Sequence, residues 1–172
     1  LLVMAAIKIE EGFSASVIFR QLRVGQYGQT FMLYKLRSMR EDAEGDGRAR
    51  YAQVNDNRVT RVGAFIRKTR LDELPQLFNV LSGEMSLVGP RPERPEFVHE
   101  LVKRIPYYAE RHTIKPGLTG WAQLCFSYGS SEQDALEKLQ YDLYYVKNHS
   151  LSFYLSNILQ TVEVILWRKG AR

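Results

Sequence analysis

Apolar residues recur along the chain at two spacings, and the change from one to the other marks out its elements. Val17-Ile18-Phe19 and Phe31-Met32-Leu33-Tyr34 have strand character, with Gly25 and Gly28 between them, so residues 17–39 are predicted to form a hairpin. Leu71, Leu74, Leu77, Phe78 and Leu81 then keep helical spacing as far as Gly83. Phe97, Val98, Leu101, Val102 and Ile105 do the same as far as Pro106. Ser131 offers an N-cap, with Asp134 three positions on, for a helix that carries Leu136, Leu139, Leu143 and Val146.

The last periodic segment runs from Leu151 to Trp167. It sets Leu151, Tyr154, Leu155, Ile158, Leu159, Val162, Ile165 and Leu166 on one stripe, with Ser156, Asn157, Gln160 and Glu163 opposite or at its edge. Arg168, Lys169 and Arg172 follow. Two readings stay open: a core helix with its stripe turned inward, or an interfacial helix lying in a lipid headgroup layer. Tyr141, Tyr144, Tyr145, Tyr154 and Trp167 cluster here, which favours the interface.

Between these elements lie segments that cannot be regular. Residues 40–57 are polar and glycine-bearing, and read as an exposed loop or a frayed helix. Gly89-Pro90-Arg91-Pro92-Glu93-Arg94-Pro95 holds three prolines, which stiffen the backbone around Arg91 and Arg94. Lys115-Pro116-Gly117-Leu118-Thr119-Gly120 is turn-forming. With no repeat, low-complexity tract or linker, residues 1–172 are expected to form a single domain. Its class is expected to be α+β, predominantly α-helical, with a small N-terminal β-hairpin and amphipathic helices at a membrane interface.

Composition narrows this modestly. The chain has 172 residues, 45% of them hydrophobic, enough for a real core, and 25% charged residues argue against disorder. A net charge of +5 suits an anionic partner, whether nucleic acid, a phosphorylated metabolite or a membrane surface. The cations are spread over many segments and not gathered with aromatics on one element, so no nucleic-acid partner is expected. Cys125 is the only cysteine, which excludes an internal disulfide and a zinc site with two thiolates. The start, Leu1-Leu2-Val3-Met4-Ala5-Ala6-Ile7, has no initiator Met and no basic region before it. Residues 1–16 therefore read as the remnant of an upstream membrane-associated element. No uninterrupted apolar run reaches the roughly 20 residues that span a bilayer.

Candidate chemistry centres on Arg67-Lys68-Thr69-Arg70-Leu71-Asp72-Glu73-Leu74-Pro75. Pro75 has no N–H to donate, so a helix carries it only in the first turn. Asp72 and Glu73 are thereby placed at or beside a helix N-terminus, where unpaired N–H groups and the dipole favour anions. An acidic helix start balanced by basic neighbours is the ordinary reading of such a pair. Lys35, Arg37, Arg67, Arg70, Arg91, Arg94 and Arg111 would suit a pocket for a diphosphate. His99, His112 and His149 are scattered and read as structural or surface residues.

Several motifs in fixed order change these odds. Arg20-Gln-Leu-Arg-Val-Gly25, Lys35-Leu-Arg-Ser-Met39, Leu71-Asp-Glu-Leu-Pro-Gln-Leu-Phe-Asn79 and Ser86-Leu-Val-Gly-Pro-Arg-Pro92 appear in turn. Lys115-Pro-Gly-Leu-Thr-Gly-Trp-Ala-Gln123 and Tyr141-Asp-Leu-Tyr-Tyr-Val-Lys-Asn148 complete the series. From about residue 17 onward the chain resembles the bacterial sugar transferases that are monotopic phosphoglycosyl transferases. Tyr128-Gly-Ser-Ser131 through Tyr141 is most similar to members from exopolysaccharide gene clusters.

The resemblance implies transfer of sugar-1-phosphate from a nucleoside diphosphate sugar, a UDP-hexose, to polyprenyl (undecaprenyl) phosphate. It implies Asp72 as nucleophile, Glu73 as the Mg²⁺ ligand with Asp72 beside it, and phosphate contacts from Lys35, Arg67 and Arg91, then Arg37 and Arg111. It further implies a place at the cytoplasmic face of a bacterial inner membrane, and is compatible with an oligomer. The chain departs from smaller family members at Leu124-Cys125-Phe126-Ser127-Tyr128, where an Asn-Gly-Arg-like segment is expected. A non-catalytic membrane-surface scaffold is the rival reading, and release of a nucleoside monophosphate separates the two.

Overall fold

A computed structural model describes residues 1–167 except 46, 48, 49, 54, 55 and 127–130. The end of the 124–128 departure, the first residues of the exopolysaccharide-like segment and the basic positions Arg168, Lys169 and Arg172 lie outside the described residues. Contacts cluster into two compact units, each built from two stretches of chain. Unit 1 takes Leu1–Arg20 and Tyr34–Gln76, and unit 2 takes Gln21–Leu33 and Leu77–Arg172. The expected small antiparallel hairpin is present as β1, Ile18–Val24, and β2, Thr30–Leu36. Its bases belong to unit 1 and its tip to unit 2.

In unit 1, α1, Leu2–Glu11, and α2, Arg61–Lys68, are joined by an unusual cap. Glu10 accepts from the backbone N–H groups of Arg61 and Val62 at 2.8 and 2.9 Å, and the Thr60 hydroxyl accepts from Gly63 at 2.9 Å. Three N–H groups that the helix cannot satisfy itself are thus paired. These bonds hold the Glu10 carboxyl below its ordinary range against the opposing effect of burial. A Cβ on Gly63 would lie 2.0 Å from the Ser38 carbonyl, so only glycine lets α2 lie this close to the exit of β2. Ile7, Ala15 and Ile66 are buried in this unit. Among its described residues the polar segment after β2 turns at 41–45 and 57–58; the Met39–Val59 bridge lies across its ends, and the Asp56 carboxylate takes the Arg58 guanidinium at 2.6 and 2.8 Å.

Unit 2 is mainly helical: α3, Gln76–Leu81 (which starts in unit 1), α4, Pro95–Arg104, α5, Trp121–Cys125, α6, Glu132–Asn148, and α7, Leu151–Trp167. Ser131 caps α6 as expected, and Asp134 returns the bond to the Ser131 backbone N–H at 2.8 Å. One core joins Val24, Val98, Ile105, Tyr108 and Leu139, and a second joins Phe31, Leu33 and Met85. Two three-residue strands, β3, Ser86–Val88, and β4, Gly117–Thr119, pair in parallel with Ser86 opposite Gly117. A Cβ on Gly117 would meet the Gly89 backbone N at 2.1 Å, which is why the turn-forming segment carries glycine there.

Two helices present their faces the wrong way round for a protein in water. In and just before α3, Asp72, Glu73, Gln76 and Asn79 are buried while Leu74, Leu77, Phe78 and Leu81 are exposed. On α7 the fully buried side chain is Asn157, and Thr161 pairs with Thr119 at 2.8 Å. Leu151, Leu155, Leu159, Val162, Ile165, Leu166 and Trp167 are exposed. Of the eight stripe residues Tyr154 and Ile158 are half-buried and the other six are exposed, so the core-helix reading, with the whole stripe turned inward, is corrected. Among the described residues no helix is long and apolar enough to cross a membrane.

Candidate active site

The Asp72–Glu73 pair sits in a 3-10 turn, Leu71–Glu73, immediately before Pro75 and α3. That is the placement Pro75 dictated. The electrostatics differ from the expected helix dipole, because α3 has only six residues and carries little of one. Cations supply the field instead. Lys35 Nζ, from β2, lies 3.3 Å from Glu73 Oε1, and Arg70 Nη1 lies 3.8 Å from Oε2. Asp72 and Glu73 are only 7% and 8% exposed, so charges here interact more strongly than at an open surface.

Arg70 enters the turn with φ 58° and ψ 13°, a left-handed conformation that non-glycine residues seldom adopt. That turn of the backbone ends α2 and redirects the chain into Leu71-Asp72-Glu73. Local strain of this kind clusters at functional sites. Arg67, half-buried in the last turn of α2, has no ion pair among the described residues and is available to an anion. Arg37 is committed locally: its Nε donates to the Ser16 carbonyl at 2.6 Å, and Nη2 lies 3.9 Å from Glu41.

Arg91 and Arg111 fall in unit 2. Arg111 is 5% exposed, with Nη2 2.7 Å from Asp142 Oδ2, Nε donating to the same oxygen at 2.9 Å and Nη1 donating to the Tyr108 hydroxyl at 3.2 Å. Nη2 also donates to the Arg91 carbonyl at 2.9 Å. Burial opposes its charge, but the Asp142 carboxylate more than offsets this and raises its pKa above the usual value. This guanidinium is committed to the interior and not to a phosphate cradle. It belongs to a set of donors that hold the proline segment carbonyl by carbonyl: Gly117 N–H on Pro90, Arg111 on Arg91, Arg23 on Pro92 and Val24 N–H on Glu93. Arg91 is thus carried on a backbone fixed by four donors from three parts of unit 2, since Arg23 and Val24 are neighbours on β1.

His112, beside this cluster, is structural, as expected. Burial first, and the Arg111 charge second, push its pKa down to about 4, and its Nε2 is sealed without a partner. An unfolded histidine titrates near 6.5. The neutral ring therefore contributes stability that is complete above pH 6.5 and lost as pH falls toward 4. Comparing urea midpoints at pH 7 and 4.5, His112→Phe is expected to lose about 1–2 kcal/mol less than the parent. Equal losses in both proteins would remove His112 from this role.

Magnesium coordination can be tested on the donor set. Asp72 and Glu73 offer hard carboxylate oxygens, and among the described residues no cluster of three or more acidic, His or Cys side chains is present. Magnesium commonly takes one or two carboxylates and completes its shell with substrate phosphate and water, so the pair fits that use. Sequence reasoning counted Arg70 only among the cations suited to a diphosphate, and passed over Gln76. The pairing of Arg70 with Glu73 was detectable from their i, i+3 spacing. Gln76, buried one turn after Asp72, gave no sequence signal beyond its place in the motif.

The family model described as bacterial sugar transferase matches residues 1–168. A UDP-N-acetylgalactosamine-undecaprenyl-phosphate N-acetylgalactosaminephosphotransferase of Aeromonas hydrophila is 45% identical over 172 residues, 100% of this chain and 40% of that protein. A UDP-glucose:undecaprenyl-phosphate glucose-1-phosphate transferase of Xanthomonas campestris pv. campestris is 39% identical over 173 residues, 99% of this chain and 36% of that protein. An uncharacterized sugar transferase, EpsL, of Bacillus subtilis (strain 168) is 38% identical, covering 99% of this chain and 79% of its own. This chain therefore spans less than half the length of the first two.

Proposed function

We infer the reaction from one premise: this chain belongs to the bacterial sugar transferase family. The reaction is transfer of a sugar-1-phosphate from a UDP-hexose or UDP-N-acetylhexosamine to undecaprenyl phosphate. The names of its relatives support both donor types and the acceptor. One observation carries the assignment to a site: a buried carboxylate pair in which Glu73 is held by Lys35 and Arg70, leaving Asp72 beside a fixed positive field.

Two displacements at one phosphorus follow. An Asp72 Oδ attacks the sugar-bearing phosphorus, forming an Asp–O–P bond while the P–O bond to the nucleotide breaks and its electron pair leaves on UMP. An oxygen of the polyprenyl phosphate then attacks the same phosphorus, and the Asp72 carboxylate departs unchanged. Splitting the reaction keeps two bulky anions from meeting in one crowded transition state. Lys35, Arg67 and Arg91 offset charge on the phosphates, a role in which fixed cations supply most of the acceleration. Glu73, with Asp72, would hold Mg²⁺, which when bound offsets phosphate charge. Transfer is expected to fall to background in EDTA and return with added Mg²⁺. Full activity under chelation would take Glu73 out of that role.

The surface fits an acceptor that lives in lipid. Exposing Leu, Val, Ile and Trp along α7 while burying Asn157 is unfavourable in water and favourable against acyl chains. The exposed Leu74, Leu77, Phe78 and Leu81 that follow the carboxylate pair have the same character. This exposed apolar surface supports a place at the cytoplasmic face of the inner membrane, where a soluble nucleotide donor would meet a membrane acceptor. The test is release of nucleoside monophosphate from a panel of UDP-sugars, with undecaprenyl phosphate in vesicles. Vesicle binding without release from any donor would leave only a scaffold.

A further inference from the structure

Gln76 is 2% exposed, and its Nε2 is sealed from solvent with no hydrogen-bond partner among the described residues. An unmade buried donor is costly, and native folds retain one only for a reason. Lack of apolar residues is not that reason, since Leu74, Leu77 and Phe78 on either side of it are turned outward at 52%, 40% and 70% exposure. The fold buries the amide and exposes the hydrocarbon.

Its position suggests what the amide serves. Gln76 follows Glu73 by three residues and Asp72 by four. Leu74 between them is helical, at φ −54° and ψ −38°, and Pro75 is confined to a helix-compatible φ. Positions three and four apart along such a backbone share a face. Asp72, Glu73 and Gln76 are therefore the buried polar positions of one turn. The two carboxylates can only accept hydrogen bonds when ionised, so Gln76 is the neutral donor of the three.

We propose that Gln76 is a catalytic residue whose Nε2–H donates to a non-bridging oxygen of the phosphoryl group transferred to Asp72. As phosphorus passes from donor to Asp72, charge gathers on its non-bridging oxygens, and a donor already desolvated and uncommitted meets them without first breaking another bond. The amide gains and loses no proton. Being neutral, it adds no charge that would hold the departing UMP. This assignment rests on Asp72 being the phosphate acceptor.

The test uses the intact chain with Gln76→Met, which matches the side chain in length and volume but has no donor, alongside Asp72→Asn. Two quantities are read: the thermal midpoint without ligand, and the single-turnover rate of covalent adduct formation by the folded fraction. Gln76→Met is expected to keep or raise the midpoint and to lower the rate roughly 10²-fold, with the loss in kcat and not in KM. A rate within twofold of the parent overturns the proposal, and a lowered midpoint with that rate identifies a purely structural amide. Should the Met variant not fold, Gln76→Glu, which keeps the shape and replaces the donor with an acceptor, is judged by the same rate. A parent that transfers sugar phosphate while Asp72→Asn does so equally overturns the Asp72 reading itself, and that outcome is distinct from a failure of Gln76 alone.

Discussion

Asp72→Asn is expected to abolish the covalent adduct and to cut sugar-phosphate transfer by at least roughly 10³-fold, the scale seen when a nucleophile is removed. The substitution keeps the shape of the side chain, so the turn that follows Arg70 has no steric reason to move. It removes the nucleophilic carboxylate while leaving Lys35, Arg70 and Glu73 in place. Binding of the UDP-sugar should therefore survive, and the loss should fall on kcat. Mass spectrometry of the protein after exposure to donor without acceptor gives the direct reading: the parent gains the mass of a sugar phosphate and the variant does not. An adduct of the same mass and yield on the variant would place the nucleophile elsewhere. Glu73→Gln offers a contrast, since Asp72 remains. It should lose rate without losing the capacity to form adduct.

What could be read from the sequence, and what could not, divides along the range of the interactions involved. The β1–β2 hairpin, the Ser131 cap of α6 and the bounds of α7 were legible, because each is specified by residues within a turn or two of one another. Pro75 likewise fixed the helical boundary behind Asp72 and Glu73. The short parallel pair β3–β4 was not legible. It joins Ser86 to Gly117 across thirty-one positions, and three-residue strands carry no periodicity of their own. Nor was α2, whose start depends on a carboxylate, Glu10, fifty-one residues away from Arg61. The direction in which a periodic stripe faces is harder still. Spacing showed that α7 and the 71–81 segment were amphipathic, but the same spacing serves a core helix in water and an interfacial one in lipid. Only the structure shows that Asn157 and Gln76 are buried while leucines beside them are exposed. At the site, motif resemblance named Asp72 and Glu73 and the charge pattern named Arg70, while the pairing of Arg70 with Glu73 and the burial of Gln76 emerged from the shape of the turn.

Arg111 shows the same division in energetic form, and its removal should have the largest effect on stability. Its guanidinium and the Asp142 carboxylate are 5% and 4% exposed and 2.7 Å apart. Taking both charges out of water is expensive, and their attraction repays it only while both are present. Arg111→Met leaves a buried carboxylate without its cation, and also strips the donors from the Tyr108 hydroxyl and the Arg91 carbonyl. Asp142→Asn leaves a buried guanidinium facing a neutral amide. Each single substitution is expected to lose about 3–5 kcal/mol of unfolding free energy in urea at pH 7. The double variant Arg111→Met with Asp142→Leu should recover much of that loss, because no charge is then left alone. If stability were all that the pair supplied, the double variant would also recover full transfer activity. The bond to the Arg91 carbonyl leads to a different expectation. With Arg111 gone the proline segment loses one of its four anchors, so the repacked protein should stay folded while its KM for the UDP-sugar rises. A single variant within 1 kcal/mol of the parent would show the pair to be dispensable. A repacked double variant with the parent's KM would show that Arg91 is positioned well enough by Gly117, Arg23 and Val24 alone.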